Sequence, residues 1–464
     1  MDAPCFLFLF SVFFSVVPVL PYHHESQTLL LRPLSSSVLP PTLSWPDPLE
    51  TSDPTSPLLL PLQPVDTLFS LSSNLSLSPQ SLLRLRLLRD ASRVSSLPNS
   101  SSPGFSSSVI SGLSQGSGEY FTRIGVGTPP RYLYMVLDTG SDLLWLQCSP
   151  CRRCYDQADP IFNPSRSSSF SPIPCSSPLC RRLDSPGCNS RLQTCLYQVS
   201  YGDGSFTLGD FASETLTFRG TRVGPVALGC GHDNEGLFVG AAGLLGLGRG
   251  RLSFPSQAGR QFNNKFSYCL VDRSASSRPS TVIFGDLATS PRTVHFTPLL
   301  SNPKLDTFYY VELLGISVGG TRVAGITASL FQMDQAGNGG VIVDSGTSVT
   351  RLTRPAYVAM RDAFRAGAGG LKRGPDFSLF DTCYDLQGKK EVKVPTVVLH
   401  FRGADVSLPA TNYLIPVDSG GTFCFAFAGT MSGLSIIGNV QQQGFRMVFD
   451  LGESRVGFVP RGCA

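Results

Sequence analysis

Charged side chains are scarce in this chain, at 15% of 464 residues, and no lysine occurs before Lys265. With a net charge of only +4 and no dense basic run, nothing points to nucleic-acid binding. Long helical patterns are rare as well, while Gly, Pro and Ser are plentiful. That balance argues against a helical cytosolic protein and for a β-rich extracellular one. The five histidines form no metal-binding spacing. Gly246-x-Gly248-x-Gly250 lacks the following Lys-Ser/Thr of a phosphate loop. Neither Ser nor Cys stands in a recognisable nucleophile motif. No metal and no cofactor is therefore expected.

What is present begins with an apolar run inside residues 1–21, resembling the core of a signal peptide. An uncleaved anchor is the alternative, but the run barely reaches the length that spans a bilayer. Of thirteen cysteines, Cys5 lies in that run, which leaves an even set of twelve. An even, clustered set reads as a disulfide framework made in an oxidising compartment. Cys148-x-x-Cys151-x-x-Cys154 could suggest zinc or an iron–sulfur cluster, but no fourth ligand is suitably spaced nearby. Residues 22–115 hold no cysteine and are rich in Ser, Pro and Leu, and read as a removable prosegment. Within them, Arg86, Arg89 and Arg93 share one face of a predicted amphipathic helix, with leucines on the other. Both glycosylation sequons, Asn74 and Asn99, fall there too.

The body repeats itself. Val136-Leu-Asp138-Thr139-Gly140-Ser141 is followed by Gly243-Leu-Leu-Gly-Leu-Gly, and Ile342-Val-Asp344-Ser345-Gly346-Thr347 by Leu434-Ser-Ile-Ile-Gly-Asn439. Two copies of one order suggest two related lobes, residues 116–295 and 296–464. An Asp leaving a buried strand needs hydrogen bonds to remain charged. The Gly lets the chain fold back so that its amide and the next hydroxyl reach the carboxylate. Two such loops facing each other would bring both carboxylates close enough to share one proton. A single Asp-Thr-Gly would more often be an ordinary turn. A helix is predicted from Pro355, with Tyr357, Met360 and Phe364 on one face and Gly367 near its end.

These motifs resemble the pepsin-like aspartic proteases, and within them the nepenthesin-like, atypical plant branch, over roughly residues 117–464. The likeness also rests on Leu143-Leu-Trp145-Leu-Gln-Cys148, Tyr201-Gly202-Asp203-Gly-Ser and Ile436-Ile-Gly-Asn439. It implies an all-β fold of two β-barrel-like lobes with an active-site cleft between them. It implies Asp138 and Asp344 as the catalytic pair, and Tyr201 at the tip of a flap with Trp145 as its hydrogen-bond partner. Ser141 and Thr347 would bond the outer carboxylate oxygens, and Thr139 and Ser345 would tie the loops together. The implied pairing is Cys148–Cys151, Cys154–Cys230, Cys175–Cys195, Cys180–Cys188, Cys269–Cys463 and Cys383–Cys424.

The activity implied is a secreted endopeptidase acting on protein or peptide substrates, with an apolar preference and an acidic optimum. A monomer is expected, in the apoplast or, alternatively, in another endomembrane compartment or a plastid. With no prosegment lysine to pair with the dyad, latency must rely on Arg or on steric cover. Plant xylanase inhibitors, which resemble this chain in architecture but have degraded catalytic motifs, are the rival. Both Asp-(Thr/Ser)-Gly triplets are intact here.

Overall fold

The computed structural model of the protein describes residues 25–32, 34, 58–64, 78–96, 120–200, 206–219, 221–236, 240–271, 280–290 and 293–463. The fold is all-β and two-lobed, and each lobe carries the same arrangement of five strands. In the first, Tyr120–Val126 pairs antiparallel with Arg131–Asp138, and Gly243–Gly246 runs parallel to the latter. Trp145–Gln147 joins antiparallel to Gly243–Gly246, and Thr221–Glu235 runs parallel to Trp145–Gln147. In the second lobe the same order is Tyr309–Val311, Val341–Val343, Ser435–Ile437, Thr350–Thr353 and Phe427–Thr430. The internal repeat is thus a repeat of topology.

The reason lies in composition. Arg131–Asp138 and Val341–Val343 are near-continuous apolar runs, and such runs form strands covered on both faces. Each delivers its Asp at the strand's end, where a polar loop begins. Gly243 must be glycine, because a Cβ there would stand 2.0 Å from the Trp145 carbonyl oxygen. The helix expected from Pro355 spans Arg354–Gly367 and buries Ala356, Tyr357, Met360 and Phe364 against the second lobe.

Described parts of residues 22–115 dock on the body. Ser26–Leu30 adds to Glu391–Pro395, and Leu58–Pro64 sits between Ser280–Phe284 and Tyr120–Val126 in a fifteen-stranded sheet. The predicted amphipathic helix spans Pro79–Ser96. Its two faces are used opposite to a simple expectation. Arg86, Arg89 and Arg93 are buried along with Leu83 and Leu87, whereas Leu85 and Leu88 are exposed. The arginine side docks because Arg93 meets carboxylates of the body. Arg84 lies 4.6 Å from the centre of the Phe377 ring, and Leu83 and Leu87 join a cluster with Val349, Phe380 and Val440.

Six disulfides form, and only Cys269–Cys463 and Cys383–Cys424 match the pairing that the resemblance implied. The other four are Cys148–Cys230, Cys151–Cys154, Cys175–Cys188 and Cys180–Cys195. Burial sorts them. Cys148 and Cys230, and likewise Cys180 and Cys195, lie in the core, while Cys151, Cys154, Cys175 and Cys188 lie nearer the surface. A sulfur placed inside meets another placed inside. Asn74, Asn99 and residues 1–21 lie outside the described residues.

Candidate active site

Asp138 and Asp344 leave parallel positions in the two lobes and face each other. Leu247 N donates to the Asp138 carbonyl at 2.8 Å, and Asp344 N donates to the Ile437 carbonyl at 3.1 Å, so each Asp is fixed by its lobe's Gly-ending strand. Each carboxylate then accepts from the amide two residues on: Gly140 N to Asp138 Oδ1 at 3.0 Å, Gly346 N to Asp344 Oδ1 at 2.9 Å. The loops are laced together. Thr139 N donates to Ser345 Oγ at 3.2 Å, and Ser345 N donates to Thr139 Oγ1 at 2.8 Å.

Both glycines are needed for this approach. A Cβ on Gly140 would lie 2.9 Å from Asp344 Oδ1, and one on Gly346 would lie 2.3 Å from Asp138 Oδ1. Thr347 Oγ1 donates to Asp344 Oδ2 at 2.6 Å. Ser141 does not do the corresponding job. Its hydroxyl is buried with no hydrogen-bond partner among the described residues, and Arg93 takes both oxygens of Asp138 instead.

Arg93, from the Pro79–Ser96 helix, is the group that joins the pair. Its Nη2 stands 2.8 Å from Asp138 Oδ1 and 2.8 Å from Asp344 Oδ2. Nε donates to Asp344 Oδ2 at 3.0 Å, and Nη1 to Asp138 Oδ2 at 3.3 Å. Burial opposes the charge on Arg93, but the two carboxylates outweigh it and hold the guanidinium above its ordinary range. Asp344 is pushed above the usual carboxylate range, first by burial; Arg93 opposes the shift and the like charge of Asp138 adds to it.

One helical turn earlier, Asp90 makes a second anchor. Its Oδ1 accepts from Ser348 N at 2.5 Å and Val349 N at 3.4 Å, and its Oδ2 meets Arg351 Nη2 at 2.5 Å. Sequence reasoning placed Arg93 on a helical face but paired neither Arg93 nor Asp90 with anything. The available signal was Asp90-x-x-Arg93, an acid and a base on one face of a helix otherwise rich in arginine.

Around the dyad the support is polar and buried. Asn439 Nδ2 donates to the Ser345 carbonyl at 2.9 Å and Gln442 Nε2 to the Asp344 carbonyl at 3.2 Å. Tyr268 Oη in turn bonds Gln442 Oε1. Trp145 is fully buried in its strand. Thr194–Ser200 and Phe206–Phe218 pair antiparallel, with Ser200 opposite Phe206, as the arms of a hairpin. Its tip, with Tyr201, Gly202 and Asp203, lies outside the described residues. Among the described residues, no three His, Cys, Asp or Glu side chains converge to hold a metal ion, and no helix is long and apolar enough to cross a membrane.

Residues 120–286 match the family described as xylanase inhibitor N-terminal, and residues 308–460 the one described as xylanase inhibitor C-terminal. Aspartyl protease family protein 2 of Arabidopsis thaliana is 73% identical over 86% of this chain and 84% of its own. Aspartic proteinase nepenthesin-1 of Nepenthes gracilis is 42% identical over 77% and 81%. The crystal structure of edgp superposes with a TM-score of 0.62 at 23% identity, covering 74% of this chain and 92% of that one, which is a likeness of fold. Two lobes, paired Asp-(Thr/Ser)-Gly loops and these relatives lead to one conclusion: the chain belongs to the pepsin-like aspartic proteases, in their nepenthesin-like plant branch, and is an aspartic-type endopeptidase.

Proposed function

We propose that Asp138 and Asp344 are the catalytic pair of a secreted endopeptidase, and that the form described here is its latent state. The observation that carries this reading is that one guanidinium nitrogen reaches both carboxylates at 2.8 Å. Two carboxylates that close can share one proton or hold one water. Like charges there do not both ionise readily, so one member stays protonated when Arg93 is gone.

With the helix displaced, a water takes the place of the guanidinium. The ionised carboxylate accepts its proton as the water attacks a peptide carbonyl. The protonated one donates to the developing oxyanion, and the proton passes on to the leaving nitrogen. Gly140 and Gly346 amides and Thr347 hold the carboxylates in place meanwhile. Extended peptides with apolar side chains beside the cut bond suit a groove between two β lobes.

Arg93 keeps its charge at any working pH, so acid loosens the latch from the carboxylate side. Asp344 protonates above the usual carboxylate range, and lowering the pH through that point removes one arm of the bridge. Six disulfides support an oxidising destination, the apoplast or an endomembrane compartment. The chain is expected to act as a monomer.

The test is peptide cleavage by the full-length chain from acidic to neutral pH, with and without pepstatin, beside D138N, D344N and R93A. Pepstatin-sensitive cleavage, lost in both Asp variants and faster to appear in R93A, supports the reading. A folded, processed protein that cuts nothing would move the assignment to a binding role on this fold.

A further inference from the structure

Arg351 is a buried cation seven residues beyond Asp344. It lies on the Thr350–Thr353 strand, next to the loop that carries Asp344, and its side chain is 6% exposed. Among the described residues its one carboxylate partner is Asp90, which belongs to the same helix as Arg93. Arg351 Nε has no partner at all among them. Beside it, the Ser348 and Val349 amides point at the same carboxylate. A forked cation and two amides make a cradle for one carboxylate, and such charge-assisted bonds are among the stronger ones a protein offers.

If the Pro79–Ser96 helix leaves so that the dyad can work, Asp90 leaves with Arg93. A buried cation a few residues beyond Asp344 is then left without its counter-charge. A partly buried charge without a partner is costly, and a passing acidic side chain relieves that cost.

We propose that Arg351, with the Ser348 and Val349 amides, forms a specificity subsite for an Asp or Glu side chain of the substrate, and that Asp90 occupies it in the latent form. This rests on the endopeptidase reading and names its substrate class further: apolar at the cut bond, acidic a short distance away. Asp90 and Arg93 are three residues apart on a helix, about 4.5 Å along its axis. An extended strand advances about 3.3 Å per residue, so the acid falls one or two residues from the position at the dyad.

The test uses the full-length chain, folded with its prosegment and then cut between Ser96 and Tyr120 at an inserted site for an unrelated protease. Peptides with an apolar pair at the cut bond carry a single Glu, or its neutral counterpart Gln, at each of the three positions flanking that pair on either side. The expected result is one position, one or two residues beyond the apolar pair, where Glu raises kcat/KM over Gln by roughly tenfold to a hundredfold. In R351Q that Glu/Gln ratio falls to about one, and in R351K, which keeps the charge but loses the fork, it falls part of the way. Since the first comparison varies only the peptide, it does not depend on either variant folding. Pepstatin-sensitive cleavage with no Glu preference at any position, or a preference that R351Q leaves intact, overturns this inference alone. Absence of pepstatin-sensitive cleavage of every peptide overturns the dyad reading with it.

Discussion

The two Asp loops share a backbone but not a chemistry. After Asp344, Thr347 bonds the carboxylate and the next residue, Ser348, offers its amide to Asp90 of the Pro79–Ser96 helix. After Asp138, Ser141 bonds nothing among the described residues. The next residue there, Asp142, is half-buried and accepts from Gly250 N at 2.9 Å and from Thr307 Oγ1, across the lobe boundary, at 2.6 Å. One loop is tied to Gly250 and to Thr307 of the other lobe; the other gives its amide to the Pro79–Ser96 helix. The repeat has preserved what the dyad needs, and the flanks have diverged into an anchor and a docking site.

The largest test of that comparison concerns the carboxylates, where the loops must be equivalent. D138N and D344N are each expected to lower kcat by at least about a thousandfold in the activated chain, and the double variant no further, because the pair acts as a unit. Steady-state rates on one apolar peptide decide it. A clear residual activity in one single variant but not the other would break the symmetry at its centre.

Asp142 comes next. Burial, opposed by its bonds to Thr307 and Gly250, pushes its pKa up to about 7. Between about pH 4 and 7 the folded state keeps a proton that the unfolded chain has lost, so stability falls as pH rises through that window. The full loss is at most about 4 kcal/mol. D142N removes the titrating group, so denaturant midpoints at pH 4, 5.5 and 7 should fall less steeply than in the parent chain. Equal slopes would mean Asp142 is ionised in the folded protein at all three.

The cysteine-rich first lobe permits a comparison within itself. Cys148–Cys230 is buried and closes 82 residues, whereas Cys151–Cys154 is nearer the surface and closes 3. On chain entropy, removing the first costs about 3 kcal/mol more than removing the second. Chemical denaturation of the two double Cys→Ala variants measures it. A smaller gap would show that the loop between them is already ordered in the unfolded ensemble.

Why was the pairing of the two Asp loops legible in the sequence and the arginine between them not? Asp138, Gly140, Asp344 and Gly346 act through neighbours two or three residues away, and local spacing is what a sequence displays. The helix from Pro355 was legible for the same reason, since Tyr357, Met360 and Phe364 recur at helical spacing. Arg93 reaches Asp344 across 251 positions, and nothing local says which buried acid an arginine will meet. The disulfides divide along the same line. Pairing followed burial, and Cys148 and Cys151 differ in burial although they are only three residues apart. The flap residues Tyr201, Gly202 and Asp203 remain an expectation carried by resemblance.

The smallest effect is also the sharpest probe of the two loops. Thr347 Oγ1 gives a charge-assisted bond to Asp344, while Ser141 Oγ is buried and gives none, because Arg93 already covers both oxygens of Asp138. In the latent chain T347V is therefore expected to cost about 1–2 kcal/mol of stability and S141A close to nothing. Once the helix has gone, the Asp138 oxygens are uncovered and Ser141 can turn its hydroxyl to them, as Thr347 does to Asp344. The asymmetry should then shrink: S141A, silent in thermal unfolding of the latent chain, should lower kcat in the activated one by a factor approaching that of T347V. If S141A is equally silent in both forms, the first loop holds its carboxylate by backbone alone, and the two halves of the site differ in the working enzyme as well as in its latent state.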